Sequence, residues 1–367
     1  MPEFGVPESG VTESGAPESG IAKSVPGSPG LEAPVNPLPT AAVAHRRHPV
    51  RSLPPKFWII TLGIAAAALV AVFMTIELRG NLGYILPRRA IKVTSMILVA
   101  YAVGVSTVLF QTVTCNRILT PSIMGFDALY VLLQTVLVFV LGGQAVLTMS
   151  GPVLFAVEIL LMVGFSFLLY RWLFTGGGKS LHLMLLVGII FGTMFRGFSS
   201  LLQRLIDPSE FIILQDLFFA SFNNVDGALL GYSAIAVALV SIMAWRMRSS
   251  FDVLALGRDM AVNLGVDHKK AVTSTLVICS VLVAVSTALV GPVTFFGLLV
   301  ASLAYQLCSH FRHTAVLPIA VLLGIIALVG GQLILERIFA FDTALSIVIE
   351  FVGGIVFLIL LLRGNVK

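Results

Sequence analysis

Three features of this 367-residue chain predict an all-α, polytopic membrane protein of about ten transmembrane helices with both termini cytoplasmic. Hydrophobic residues make up 57% of the sequence and charged residues 11%, with a mean hydropathy of +1.01. Soluble domains run at about 45–50% apolar and about 25% charged. The apolar residues come in blocks about 20 long, enough for a helix to cross a hydrocarbon core roughly 30 Å thick. Finally, Lys and Arg favour alternate connecting segments, as they do in proteins oriented by a positive-inside bias.

Residues 1–56 stand apart. They hold ten of the 41 charged residues and repeat a pentapeptide, Val6-Pro-Glu-Ser-Gly10, Val11-Thr-Glu-Ser-Gly15 and Ala16-Pro-Glu-Ser-Gly20, before turning Pro/Ala-rich. Such a composition buries too little apolar surface to offset the entropy of ordering, so the segment is expected to be a disordered cytoplasmic tail. No short apolar core precedes Phe57, so the first membrane helix is expected to stay uncleaved.

Residues 57–367 form the expected membrane domain. Spans are predicted near 57–76, 90–112, 124–143, 151–174, 181–205, 227–247, 269–290, 313–338 and 344–362. A tenth block, Phe295 to Ser309, is only about 15 long, which suits a short or partly re-entrant helix positioned by Gly291-Pro292 and Gly297. With the N-terminus inside, fifteen Lys and Arg fall on the cytoplasmic side and six outside. Four of those six, Arg79, Arg88, Arg89 and Lys92, cluster before the second span, against the local rule.

The net charge of +5 is thus a property of loops, and without a basic stripe interleaved with aromatics it does not indicate nucleic-acid binding. Cys115, Cys279 and Cys308 fall singly in or beside apolar segments, so neither a disulfide framework nor a metal site is expected. Thr175-Gly-Gly-Gly-Lys179-Ser180 imitates the end of a phosphate-binding loop, but Leu173 stands where that pattern needs its first glycine, and a membrane helix precedes it instead of a strand. It reads as a cytoplasmic turn.

The longest cytoplasmic loop, Arg246 to Lys270, carries Leu256, Met260 and Leu264 at every fourth position, predicting one short amphipathic helix that Gly265 ends. Its apolar face can rest on lipid headgroups or insert into a groove of a cytoplasmic protein. Gly257, Ala261 and Leu264-Gly265-Val266 resemble the coupling segment of permeases that import iron-siderophores, haem and cobalamin through ATP-binding-cassette (ABC) systems. Leu86-Pro87-Arg88, Gln111 to Pro121 with Gly125, and Gly291-Pro-Val-Thr-Phe-Phe-Gly297-Leu-Leu-Val300 follow in that family's order. The stretch Asn116 to Tyr130 is similar to a ferric-siderophore branch whose permeases work beside a second, different permease, and Ala301-Ser302 replaces the family's usual Pro-His.

The resemblance implies a transporter subunit of the cell membrane, not an enzyme, that moves a ferric siderophore by alternating access. Its implied partners are a second permease in a heterodimer, cytoplasmic ATP-binding subunits that hold ATP and Mg, and an extracytoplasmic siderophore-binding protein. The permease itself would bind no cofactor. Leu256, Gly257, Met260, Ala261, Leu264 and Gly265 would couple to the ATPases, and Arg88, Arg89 and Arg337 would dock carboxylates of the binding protein, a pairing that guanidinium groups make bidentately; contact with headgroup phosphates is the simpler use of those arginines.

Glu158, Arg196 and Glu350 are ionisable residues inside predicted spans, each costing about 2.5–3.5 kcal/mol at a helix centre. They either line the pathway or pair within the bundle. The alternative function is an ion-coupled secondary transporter that uses Glu158 or Glu350 as a proton site, against which stands the absence of an evident inverted repeat.

Overall fold

The computed structural model describes residues 54–76, 81–149, 151–174, 181–308, 312–337 and 345–362. Residues 1–53 of the tail, the Thr175–Ser180 stretch, Arg79 and the residues after Leu362 lie outside them, whereas Pro55 and Lys56, expected in the tail, begin α1. The described residues form fourteen α-helices and no strand: α1 Pro55–Thr75, α2 Leu82–Thr114, α3 Phe126–Leu141, α4 Gly143–Thr148, α5 Gly151–Phe174, α6 Leu181–Gln203, α7 Pro208–Phe218, α8 Gly227–Arg246, α9 Arg248–Leu254, α10 Arg258–Asn263, α11 His268–Val290, α12 Phe296–Leu307, α13 His313–Arg337 and α14 Leu345–Leu362. A 3-10 turn, Pro121–Met124, leads into α3.

Each expected span coincides with a helix. Seven helices are long and apolar enough to cross a membrane, and α3, α12 and α14 contribute shorter apolar segments. Helices are what the sequence must form here, since a chain in hydrocarbon has to satisfy its backbone N–H and C=O groups within itself. Their starts are set locally: Asn81 accepts the N–H of Gly83, Asp226 those of Ala228 and Leu229, and Asp267 that of Lys270.

Two helices make the centre. α2 and α11 have 72% of their apolar stretch buried inside the protein, whereas α1 has 11% and faces outward. α11 and α13 pack along α2, α1 lies on α13, α12 joins α13 and α14, and α3 packs on α6. Lipid tails are as apolar as Leu, so close packing of small residues, not water exclusion, holds such helices together. Gly297 is an instance: a Cβ there would overlap Thr107 Oγ1, so its absence lets α12 meet α2.

The small-residue pair Gly188 and Gly192 packs on a turn as well as serving a helix pair. A Cβ on Gly188 would come within 2.9 Å of Met124 Cα, and Gly192 abuts Gly125, whose φ of +90° requires a glycine. The Pro121–Met124 turn is thereby pressed into the side of α6, which carries the start of α3 into the interior of the bundle.

Candidate functional site

The residues singled out from the sequence separate to two ends and the middle of the bundle. α2 and α13 run antiparallel and define the ends. Near the start of α2, Lys92 Nζ pairs with Glu336 Oε1 of α13 at 2.8 Å. At the other end, Thr112 Oγ1 lies 2.7 Å from Nε2 of His313, the first residue of α13.

The second end carries the long loop, and its shape corrects the expectation of one amphipathic helix. Gly257 adopts φ 90° and ψ 172°, a conformation reserved for glycine, and divides the loop into α9 and α10. Leu256 therefore precedes the break, Met260 sits in α10, and Leu264 caps it. The fourfold spacing signalled exposure on a common surface but could not reveal the break.

Leu256, Met260 and Leu264 are 57%, 55% and 59% exposed, while Ala261 between them is fully buried. Gly265, at φ +81°, closes α10: its N–H donates to Val262 O and the N–H of Val266 donates to Ala261 O, both at 3.0 Å. These two bonds satisfy terminal carbonyls that the short helix would otherwise leave open.

A hydrogen-bonded chain fastens this loop to the bundle. Asp252 Oδ1 of α9 accepts from the backbone N–H of His313 at 2.9 Å and from its Nδ1 at 2.7 Å. A carboxylate can only accept, so Nδ1 carries the proton, while Nε2 faces Thr112 Oγ1, whose own hydroxyl donates to Val108 O at 2.9 Å. His313 is 3% exposed, and Phe251, also buried, packs against its ring. Partial burial tends to raise the Asp252 carboxyl, but the two bonds from His313 and the charges of His313 and Arg312 outweigh it and hold the group below the usual carboxylate range.

At the first end Arg88 is exposed and lies over the Tyr84 ring at 4.7 Å. Arg89 behaves differently. Its Nη1 donates to Phe73 O, Met74 O and Ile76 O at 3.0, 3.3 and 2.7 Å, so it caps the last carbonyls of α1 and is not offered outward with Arg88. Sequence adjacency hid this, because neighbouring helical residues point in different directions. Arg337 is exposed at the end of α13, next to Glu336.

Beside this end opens a cavity of about 800 Å³ whose polar lining includes Asp216, Ser221, Asn223, Asn224 and Gln332. Gln332 Nε2 donates to Asn223 Oδ1 at 3.1 Å and to Glu336 Oε1 at 2.9 Å, which ties the cavity wall to the Lys92 pair.

The middle of the bundle splits the three intramembrane residues. Glu158 is 3% exposed and accepts from Gln134 Nε2 at 2.6 Å, a pairing inside the bundle. Arg196 instead lines a second cavity, of about 440 Å³, together with Thr120, Ser122, Asp127 and Thr294. Thr294 Oγ1 donates to Asp127 Oδ2 at 3.1 Å and the Thr294 backbone N–H faces Glu350, while Arg196 and Glu350 both bear electrostatically on Asp127. Asp127 and Thr294 escaped the sequence reading as site residues. The available signal was a lone acid two residues after the turn glycine Gly125, within an apolar block.

The FecCD transport family matches residues 57–363, which includes both ends and both cavities. The chain belongs to the FecCD transport family. This FecCD permease is 46% identical over 306 residues to the petrobactin import system permease protein YclO of Bacillus subtilis (strain 168), covering 83% of this chain and 96% of that one. It is 35% identical over 315 residues to the petrobactin import system permease protein FatC of Bacillus anthracis, covering 84% and 89%. A solved inward-facing ABC transporter, described as of metal-chelate type, superimposes with a TM-score of 0.74 over 84% of this permease and 99% of that chain. The two are 21% identical, a likeness of fold alone. Among the described residues no three His, Cys, Asp or Glu side chains gather to hold a metal ion.

Proposed function

We propose that this FecCD permease is the membrane-spanning subunit of an ATP-driven importer that brings a ferric siderophore across the cytoplasmic membrane. The family match over residues 57–363 carries the reading, and two relatives named for petrobactin import make ferric petrobactin the first chelate to test. In this reading the Asp252 end faces the cytoplasm, as do both termini, and all ten apolar helices cross the bilayer, α12 as the short one.

Leu256, Met260 and Leu264 then enter a groove of the ATP-binding subunit, and the glycines Gly257 and Gly265 shape the loop that presents them. Hydrolysis of MgATP belongs to that partner. Closure of the ATPases pushes the loop, and the Asp252–His313–Thr112 chain passes the displacement to α13 and α2 as a rigid-body movement. At the outer end, Arg88 and Arg337 meet carboxylates of the siderophore-binding protein, which delivers its cargo beside the 800 Å³ cavity. A second, different permease completes the path, a pairing supported by the resemblance of Asn116 to Tyr130. The tail of residues 1–56 has no part in this scheme.

The test is uptake of radiolabelled ferric petrobactin by cells lacking this chain, complemented with the native sequence or with a Leu256→Asp/Met260→Asp variant at equal membrane abundance. Uptake restored by the native chain and not by the variant is the expected result. Should both restore it, and a protonophore abolish it while ATP stays high, an ion-coupled transporter replaces the proposal.

A further inference from the structure

The 440 Å³ cavity poses a question of charge. Arg196 is the sixteenth residue of the 23-residue α6, about 22 Å along the axis from its start, well inside a span. An intramembrane cation is normally neutralised by a carboxylate of its own protein. Here the structure provides none at ion-pair distance among the described residues, although Asp127 and Glu350 are both nearby. Those two carboxylates are already engaged, Asp127 by the Thr294 hydroxyl at 3.1 Å and by Ser122, and Glu350 by Thr294. Arg196 is exposed on the cavity wall, and among the described residues no hydrogen bond or ion pair takes up its fork of donors.

We propose that Arg196 is a transit site for the negatively charged edge of the cargo, a carboxylate or other anionic oxygen on the iron chelate, and that the cavity beside it is part of the translocation path. This inference rests on the importer reading above. The flanking carboxylates have a role in it. A lone guanidinium in a low-dielectric wall would hold an anion too tightly to release it, and a transport site must bind strongly enough to admit and weakly enough to let go. Asp127 and Glu350, held back by Thr294, lower the positive potential without occupying the donors. The remaining wall, Ile118, Ile189, Phe295 and Leu298, offers nothing that would arrest a bulky ligand.

The experiment uses the whole importer, with its partner permease, ATPase and loaded binding protein, in proteoliposomes, and follows radiolabelled ferric petrobactin. Uptake should fall about tenfold in Arg196→Gln, and Arg196→Lys should retain most of it, because the charge is kept. ATP hydrolysis stimulated by the loaded binding protein should persist in both, since docking and coupling lie at other ends of the bundle. The deciding variant is Asp127→Asn/Arg196→Gln, which removes both charges.

If Arg196 meets the cargo, the double variant stays as impaired as Arg196→Gln, because removing Asp127 does not restore the lost donors. If Arg196 only balances Asp127, the double variant recovers and the proposal is overturned. It is equally overturned if Arg196→Gln transports normally or no longer copurifies with the partner permease. Failure of the native importer to move the chelate sinks the importer reading itself, an outcome distinct from a native success with a variant that fails selectively.

Discussion

The two ends of the bundle present opposite chemistry. The Asp252 end shows three exposed apolar side chains, Leu256, Met260 and Leu264, on a short loop fastened from behind by the buried His313, while the Arg88 end shows charged side chains beside a polar cavity. In the proposed coupling a side chain that transmits force has to be fixed from behind, and the Asp252–His313–Thr112 chain offers three hydrogen bonds under 3 Å for it. A surface that must release a partner in each cycle gains more from exposed charges, which steer association and contribute modestly to affinity.

The largest effect should come from cutting the fixation. His313→Ala removes the donor to Asp252 and the partner of Thr112, yet Asp252 is partly exposed and can turn to water, so the fold should survive at a cost of about 1–3 kcal/mol. Uptake should drop about tenfold while the partner's ATP hydrolysis continues, measured on the same proteoliposomes. If uptake and hydrolysis instead keep their native ratio, the loop is not driven through His313. Acid alone should not reproduce the loss near neutrality. The Asp252 carboxyl is held below its ordinary range, so its contribution is complete above that range and declines only as pH falls through the depressed value.

A second prediction concerns what holds the middle station in place. Gly188→Ala puts a Cβ within 2.9 Å of the Met124 backbone, which cannot move aside as a flexible side chain could. We expect membrane abundance to fall several-fold, with α3 and the cavity at Asp127 displaced. Gly197→Ala, whose Cβ meets nothing within 4 Å on the same helix, is the control that should be silent. Normal abundance and uptake in Gly188→Ala would show that the turn is not pinned against α6.

How much of this was legible beforehand follows from length scale. The ten apolar blocks emerge from composition alone, because a membrane helix announces itself over about 20 residues. The break at Gly257 depends on one φ angle that fourfold spacing cannot report. Arg89 turned to α1 and Arg88 to solvent for reasons set by helix geometry and the nearby α1 carbonyls. Glu158 and Arg196 looked alike as intramembrane charges, and only packing separated a pair with Gln134 from a cavity wall. Asp127 joined Arg196 through a turn contact that no local pattern encodes.

The smallest effect should be at the charged end, and salt is the means of seeing it. Arg88 is exposed and stacked on Tyr84, so reversing it should leave the fold intact and act on the encounter with the binding protein. In Arg88→Glu the association rate at low salt should fall about fivefold, measured by surface-immobilised importer in nanodiscs, with a smaller change in dissociation. At about 0.5 M salt native and variant should converge, because exposed charges beyond a few ångströms are then screened. Leu256→Asp, at the other end, should show a defect that salt does not mend, since it places a charge where the proposed ATPase contact is apolar. If Arg88→Glu is as deficient in high salt as in low, the arginine makes a desolvated contact in the docked complex, and the contrast between the two ends is weaker than their chemistry suggests.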